Sequence, residues 1–275
     1  LQVSGVGENT QVWRVGQMGS PTAALTLAQE GNGKGSFTTD TPQRRFVIFD
    51  TGREYPQPEA VGGVPNQNLH ADHDIDYVIA VPTGGKLTAQ AERLAELHRQ
   101  RGLSVKVIPA NLLYNEFSSG TPDANALRRY LKMLYDRAAT PDKAPRYLLL
   151  MGKSPWDNRF VTEEWKNAAI DDYLLAYEYD ASTQSIGTVS SFVTDDFYDL
   201  LDDGEGKYIY SEKVDLSTGR MVCTTEEEAK ILVDKVERYL KNEDAGPWKN
   251  RIVMMADDGD SNEHAEDAER VSKAI

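Results

Sequence analysis

The pattern of apolar and polar positions changes character near residue 76. Before it, only strand signals occur. Val12 and Arg14 alternate about Trp13, and Leu25-Thr26-Leu27 runs into Gly31-Asn32-Gly33-Lys34-Gly35 and on to Ser36-Phe37-Thr38. Glycine and asparagine tolerate the positive φ of a tight reversal, so this stretch predicts a β-hairpin. Arg45 to Phe49 predicts a further short strand. Residues 51–74, rich in Gly, Pro, Asn and His and without periodicity, predict a long connector.

After Asp76, short continuous apolar runs alternate with stripes at helical spacing. Tyr77 to Val81, Val105 to Ile108, Tyr147 to Met151 and Ile252 to Ala256 have strand length. Between the first two, Ala91, Leu94, Ala95 and His98 share a face of a helix that Thr88 would cap and Gly102 would stop. Thr121-Pro122 opens a second helix lined by Ala124, Leu127, Leu131, Leu134 and Tyr135. Thr225 and Glu228 form a capping box ahead of Ala229, Leu232, Val233, Val236, Tyr239 and Leu240, and Gly246-Pro247 ends that helix. Strand, helix, strand, helix, strand at this spacing predicts a parallel sheet with right-handed crossovers. Residues 153–222 interrupt the alternation, with Tyr173 to Tyr177 and Ile186 to Phe192 predicting a second hairpin and an acidic stretch from Asp195 to Glu205 following.

The fold class expected is therefore α/β. A β-rich region and connector (1–75) precedes an open, mostly parallel α/β subdomain with an inserted hairpin (76–249), and 250–275 begins a second such subdomain. Ala265, Ala268, Val271 and Ile275 start one more amphipathic helix, so the β-α unit is left open and more sheet is expected past Ile275. The leading Leu1, with no initiator Met and no signal-peptide pattern, agrees with an excised piece of a longer protein.

Composition narrows the partners. Of 275 residues, 40% are hydrophobic and 27% charged, which suits a folded core. Lys and Arg number 30 against 44 Asp and Glu, a net charge of −14. Such an acidic surface repels phosphate backbones, which argues against nucleic acid and anionic bilayers. No apolar run approaches the roughly 18 residues of a membrane span. The single Cys excludes an intrachain disulfide and a Cys-rich zinc site.

Ligands of open α/β sheets sit at the carboxyl ends of the strands, here Pro82 to Gly85, Gly152 to Ser154 and Asp257 to Asp260. None has dinucleotide-loop spacing, and Gly31 to Ser36 lacks the Ser or Thr and the strand-to-helix setting of a phosphate loop. Cys223, just before the capped helix, is either a nucleophile needing His70, His73, His98 or His264 as base, or a small packing residue. His70 and His73 with Asp72 and Asp74 offer metal ligands on a polar connector, but no third site partner is evident. Asp258, Asp260 and Asn262 have the alternate spacing of a calcium loop, with Glu269 at the twelfth position. Against an EF-hand, Glu263 replaces the Gly at position six, and the same acids equally suit a helix N-terminus. Asp195, Asp196, Asp199, Asp202 and Asp203 make a second oxygen-rich patch.

Longer motifs carry a family resemblance. They are Val64-Pro65-Asn66-Gln67-Asn68-Leu69-His70-Ala71, Tyr114-Asn115-Glu116-Phe117-Ser118-Ser119-Gly120-Thr121-Pro122-Asp123 and Met133-Leu134-Tyr135-Asp136-Arg137-Ala138. Tyr147 to Leu150, Trp156 to Arg159, Val193 to Asp196, Leu201 to Gly206 and Ala256 to Asp260 continue them in order. From about Val12 onward the sequence resembles the sortases of the type IX secretion system, within the gingipain-like (C25-type) cysteine peptidases.

The resemblance implies a parent exported to the outer-membrane cell surface that cuts C-terminal sorting domains from secreted cargo and transfers the new end to an anionic polysaccharide. It implies a PorV-like outer-membrane partner, no required cofactor, and two side-by-side caspase-like subdomains. It also places the catalytic His and Cys on strands after the one starting near Arg251, so no residue of this chain receives a catalytic role. One departure stands out: Gly152 is followed by Lys153-Ser154-Pro155 where the family usually has Gly-Asp-Gly-Ser. Two other readings are a non-catalytic binding or scaffolding relative on the cell surface, and a small-molecule enzyme with a cleft at Thr83, Gly152 and Asp257.

Overall fold

The alternation about Trp13 becomes a strand in the computed structural model, which describes residues 1–15, 22–39, 45–60, 62–179, 192–209 and 211–275. Among the described residues, six strands precede the first helix: β1 (Gln2–Ser4), β2 (Thr10–Val15), β3 (Ala23–Leu25), β4 (Ala28–Gly31), β5 (Lys34–Ser36) and β6 (Arg45–Asp50). They form two three-stranded antiparallel sheets, ordered β1-β5-β4 and β3-β2-β6. The predicted hairpin is β4–β5, turning through Asn32 and Gly33 at φ +53° and +69°. Two successive left-handed residues give a turn whose twist matches the strands, so Gly31 to Ser36 is a hairpin and not a phosphate loop. Val12 is fully buried, and Phe37 packs edge-on against Phe46 at 5.1 Å.

The chain divides into compact units at Pro65, ahead of the change in hydrophobic pattern at residue 76. Residues 66–75 join the second unit: the Gln67 amide donates to the Leu112 carbonyl (2.7 Å) and the Glu116 carboxylate (2.8 Å), and Leu69 is buried.

In that unit β7 (Tyr77–Val81), β8 (Val105–Pro109), β9 (Tyr147–Met151) and β12 (Ser217–Met221) pair in parallel in the order β12-β9-β7-β8. Between β9 and β12 lies an antiparallel pair, β10 (Tyr177–Glu178) and β11 (Val193–Thr194). The continuous apolar runs reflect burial on both faces of the sheet. Val78, Ala80, Leu148 and Leu150 face α2 (Ala110–Phe117), α3 (Ala124–Arg137) and Phe197 to Leu201. Ile79, Val81, Leu149 and Met151 face α1 (Thr88–Arg99) and α4 (Glu226–Leu240). No helix among the described residues is long and apolar enough to cross a membrane.

Several local expectations are corrected. Thr88 is the first helical residue of α1; the cap position is Leu87, with no side-chain hydrogen bond. Gly102, at φ +91°, does end the segment. Asp123, not Thr121, caps α3 by accepting from the Asn125 N–H at 2.9 Å. Helix α2 was not foreseen, because it is one short element directly after Pro109 with only Ala110 and Leu113 buried. The capping box at Thr225 and Glu228 forms as predicted. The second hairpin is shorter than predicted. Leu174, Leu175 and Ala176 are buried coil, and Ile186 to Ser191 lie outside the described residues.

Ile252 to Ala256 forms no strand among the described residues, with Met255 92% exposed. A strand needs a neighbour for its N–H and C=O groups, and no described segment supplies one. Helix α5 (Glu263–Ala274) follows with no buried residue.

Candidate functional site

The chain runs from β7 to β8 on one side and then crosses to β9 on the other. The topological switch, where ligands of such sheets gather, thus lies between the carboxyl ends of β7 and β9. A strap of the chain's own residues, 153–176, occupies it. The Gly84 N–H donates to the Asp171 carbonyl at 2.7 Å, and the Leu174 N–H to the Lys153 carbonyl at 3.0 Å. A Cβ on Gly84 would meet the Asp171 oxygen at 2.9 Å, and one on Gly152 would meet Pro82 at 3.0 Å and Leu174 at 3.3 Å. The two glycines therefore permit the close backbone approach that seats the strap.

Past the strand ends, the Gly152 N–H donates to the Met221 carbonyl (2.9 Å) and the Lys153 N–H to the Cys223 carbonyl (3.0 Å). Arg220 ties the edge together. Its guanidinium donates to the Gly152 carbonyl at 2.8 Å and grips the Asp195 carboxylate bidentately at 2.7 and 2.8 Å.

Within the strap, the buried Asp157 carboxylate accepts from the N–H groups of Arg159 (3.1 Å), Val161 (2.8 Å) and Thr162 (2.8 Å). The Thr162 bond leads in holding its pKa below the usual range, against partial desolvation. This folds the chain tightly enough to place Phe160 at φ +54°, an uncommon conformation for a bulky residue. The Phe160 ring packs against Trp165 at 5.9 Å and Tyr173 at 5.7 Å. The Lys153 ammonium lies 5.7 Å over the Trp165 ring, and Lys86 pairs with Asp172 at 2.6 Å.

Beside the strap is a cavity of about 140 Å³. Its polar lining comes from Thr83 after β7, Asn111, Tyr114 and Asn115 of α2, and Asp171 and Tyr173 of the strap. Burial, followed by the Asp123 and Asp171 charges, raises the Tyr114 pKa and keeps the phenol protonated.

The profile of Peptidase family C25 matches residues 70–275. The chain belongs to peptidase family C25. A solved structure of dimeric latent PorU from Porphyromonas gingivalis is similar over 93% of this chain, at 31% identity and a TM-score of 0.78. This chain spans 24% of that one. A second structure, described as a protease, aligns at a TM-score of 0.40 and 17% identity, over 63% of this chain and 30% of its own. No curated protein matches the sequence. The β-rich start and the parallel helix-covered sheet are thus the gingipain-like α/β arrangement expected from the motifs.

In this C25 chain, Cys223 has the setting of a packing residue. It is buried against the α1/α4 face, its thiol reaches the Met221 carbonyl at 3.5 Å, and burial together with Glu228 pushes its pKa up to about 11. An activated thiolate needs the reverse shift. Each histidine has a different partner. His70 Nδ1 contacts Glu116 at 2.5 Å, His73 contacts Asp74 at 3.2 Å, His98 packs edge-on against Tyr77, and His264 contacts Asp257 at 3.0 Å. Asp72 turns away from both connector histidines to accept from Lys106 and the Tyr130 hydroxyl, so 70–74 do not converge as a metal site.

Asp258, Asp260 and Asn262 occupy one exposed turn, where Asp260, Ser261 and Asn262 are all left-handed. Asp257, which spacing did not single out, makes the contacts there, to the Gly259 N–H (3.1 Å) and to His264. Carboxylates of the second acidic patch also disperse: Asp195 to Arg220, Asp199 to Thr218, Asp202 to Tyr135 and Asp203 to Lys132. Among the described residues, no group of three His, Cys, Asp or Glu is placed to hold a metal. The anchors that sequence reasoning missed are Asp157 and Glu116. Partial burial works against the Glu116 charge. The Leu69 N–H, the Gln67 amide and His70 outweigh it and hold the carboxylate at about 2. Neither residue carries a distinctive local spacing.

Proposed function

We propose that these residues form the supporting half of a C25 cysteine peptidase acting as a type IX secretion sortase on the outer-membrane surface. The parent would cut C-terminal sorting domains from secreted cargo and pass the new end to a surface polysaccharide, with a PorV-like protein as partner. The chemistry is acyl transfer: a thiolate attacks the peptide carbonyl, an imidazole moves the proton and backbone N–H groups hold the oxyanion. The likeness to PorU over nearly the whole of this chain carries the reading. The inert setting of Cys223 supports a reactive thiol and imidazole supplied outside these 275 residues.

The test compares this chain with a longer protein that contains it, each incubated with cargo bearing a C-terminal sorting domain and with purified surface polysaccharide. Cleavage and conjugation by the longer protein only, unchanged by Cys223→Ala, is expected. Turnover by this chain alone that Cys223→Ala abolishes would overturn the proposal.

A further inference from the structure

We infer that the strap is a gate: its lobe, residues 154–173, opens by local unfolding and uncovers the crevice between the carboxyl ends of β7 and β9 while the sheet stays folded. Loops beyond about 12–15 residues without regular structure are uncommon in compact folds, and many of them are lids or binding loops. Residues 153–176 hold no strand and no α-helix, only the 3-10 turn Ile170–Asp172. The base of the lobe is already closed. There the Leu174 N–H donates to the Lys153 carbonyl at 3.0 Å, and Leu174 is buried in the core on the α2/α3 side of the sheet. The lobe can therefore come and go without separating the ends that carry it.

Closure leaves polar groups unsatisfied. Among the described residues, the buried side-chain atoms without a hydrogen-bond partner are Asn158 Oδ1, Thr162 Oγ1 and Trp165 Nε1, and all three belong to the lobe. The Thr162 hydroxyl stands beside the Asp157 carboxylate without meeting hydrogen-bond geometry. Each such group forfeits its bond to water on closing, which weakens the closed state by about fivefold or more. Phe160, at φ +54°, adds backbone strain. Opening wets the three atoms and releases Phe160. Few bonds oppose it: the Gly84 N–H to the Asp171 carbonyl (2.7 Å), the Asn158 amide to the Ala176 carbonyl (2.6 Å), and the exposed Lys86 to Asp172 (2.6 Å). Trp165 is buried, but Phe160 and Tyr173, the rings it packs on, are lobe residues too. That aromatic cluster therefore makes the lobe one cooperative unit and adds little to its attachment to the sheet.

Native-state hydrogen exchange on this chain, read by NMR at several low urea concentrations, tests the gate. The Gly84, Val161 and Thr162 amides all lose their partners when the lobe opens. They should share one opening constant, at least about tenfold larger than that of the β7 and β9 amides, and respond only weakly to urea. The Leu174 amide, at the base, should stay protected with β9. Thr162→Val removes one unsatisfied hydroxyl at nearly constant shape and should raise protection at Gly84 and Val161 by about fivefold, with β7 unchanged. If that variant does not fold, the urea dependence of the unaltered chain decides alone. Exchange of Gly84 in step with the β7 and β9 amides, separate opening of Gly84 and Val161, or protection that falls or stays level in Thr162→Val would overturn the gate. Opening needs neither a reactive thiol nor a peptide substrate, so its failure leaves the peptidase reading to be judged by turnover.

Discussion

The Thr218 hydroxyl donates to the Asp199 carboxyl, tying β12 to the 196–199 turn. Asp199 is only 3% exposed, and burial, reinforced by Asp196, Asp195 and Asp215, raises its pKa to about 7 against the Thr218 bond. A carboxyl raised in the folded state binds its proton more tightly there than in the unfolded chain. Stability from this group therefore falls as pH rises from about 4 to about 7. The loss is at most about 4 kcal/mol, less where water reaches the carboxyl. Thermal melts from pH 4.5 to 8 should show the decline, and Asp199→Asn should flatten it and raise the melting temperature at pH 8. A variant curve parallel to the wild type would refute the assignment.

Glu116 acts in the opposite direction. Its carboxylate is held at about 2 although partial burial disfavours the charge, because the Leu69 N–H, the Gln67 amide and His70 bind it. Stability from this group is present above about pH 4.5 and is lost as pH falls toward 2. Glu116→Gln should remove that acid-side loss and leave the Asp199 decline intact. Double-variant melts check whether the two effects add, as expected for separated sites.

Gly152 tests the close approach that seats the strap. A methyl there meets Pro82 at 3.0 Å and Leu174 at 3.3 Å, both within packed structure. Gly152→Ala should destabilise the fold by about 1–3 kcal/mol, measured by urea unfolding. Gly204→Ala is the control for added bulk: nothing lies within 4 Å of its Cβ position, and its φ of +91° leaves only backbone strain.

The parallel sheet was legible because its strands are buried on both faces. Tyr147 to Met151 reads as an unbroken apolar run, and a strand covered by helices on both faces buries all of it except the exposed Tyr147. The Thr225–Glu228 box was legible because capping is local, resolved within one helical turn. Ile252 to Ala256 shows the limit of that logic. Its apolarity states what the segment would bury, while pairing depends on a neighbour that local sequence does not specify. The site was the least legible part. Spacing pointed to Asp258, Asp260 and Asn262, whereas the polar lining of the cavity beside the strap comes from Thr83, Asn111, Tyr114, Asp171 and Tyr173, contributed by three distant segments. Cys223 was ambiguous for a related reason: proximity to a helix start lowers a thiol pKa only where the thiol meets the helix dipole in the open, and here burial dominates.

Asp157 decides whether the strap is held by its own local hydrogen bonds or by the aromatic cluster. The carboxylate satisfies three backbone N–H groups, of Arg159, Val161 and Thr162, and fixes the bend that puts Phe160 at φ +54°. The aromatic contacts of Phe160, Trp165 and Tyr173 then form on a backbone already turned. On this view Asp157→Ala frees all three N–H groups and relaxes Phe160 out of the left-handed region. Hydrogen exchange at Val161 and Thr162 should then lose protection, while β7 and β9 amides keep theirs, as expected of a locally opening unit. Asp157→Asn keeps one carbonyl oxygen and should lose less. Phe160→Gly, which removes the strain together with the ring, separates the two causes. If protection survives in Asp157→Ala but is lost in Phe160→Gly, the aromatic cluster holds the strap and the carboxylate merely follows it.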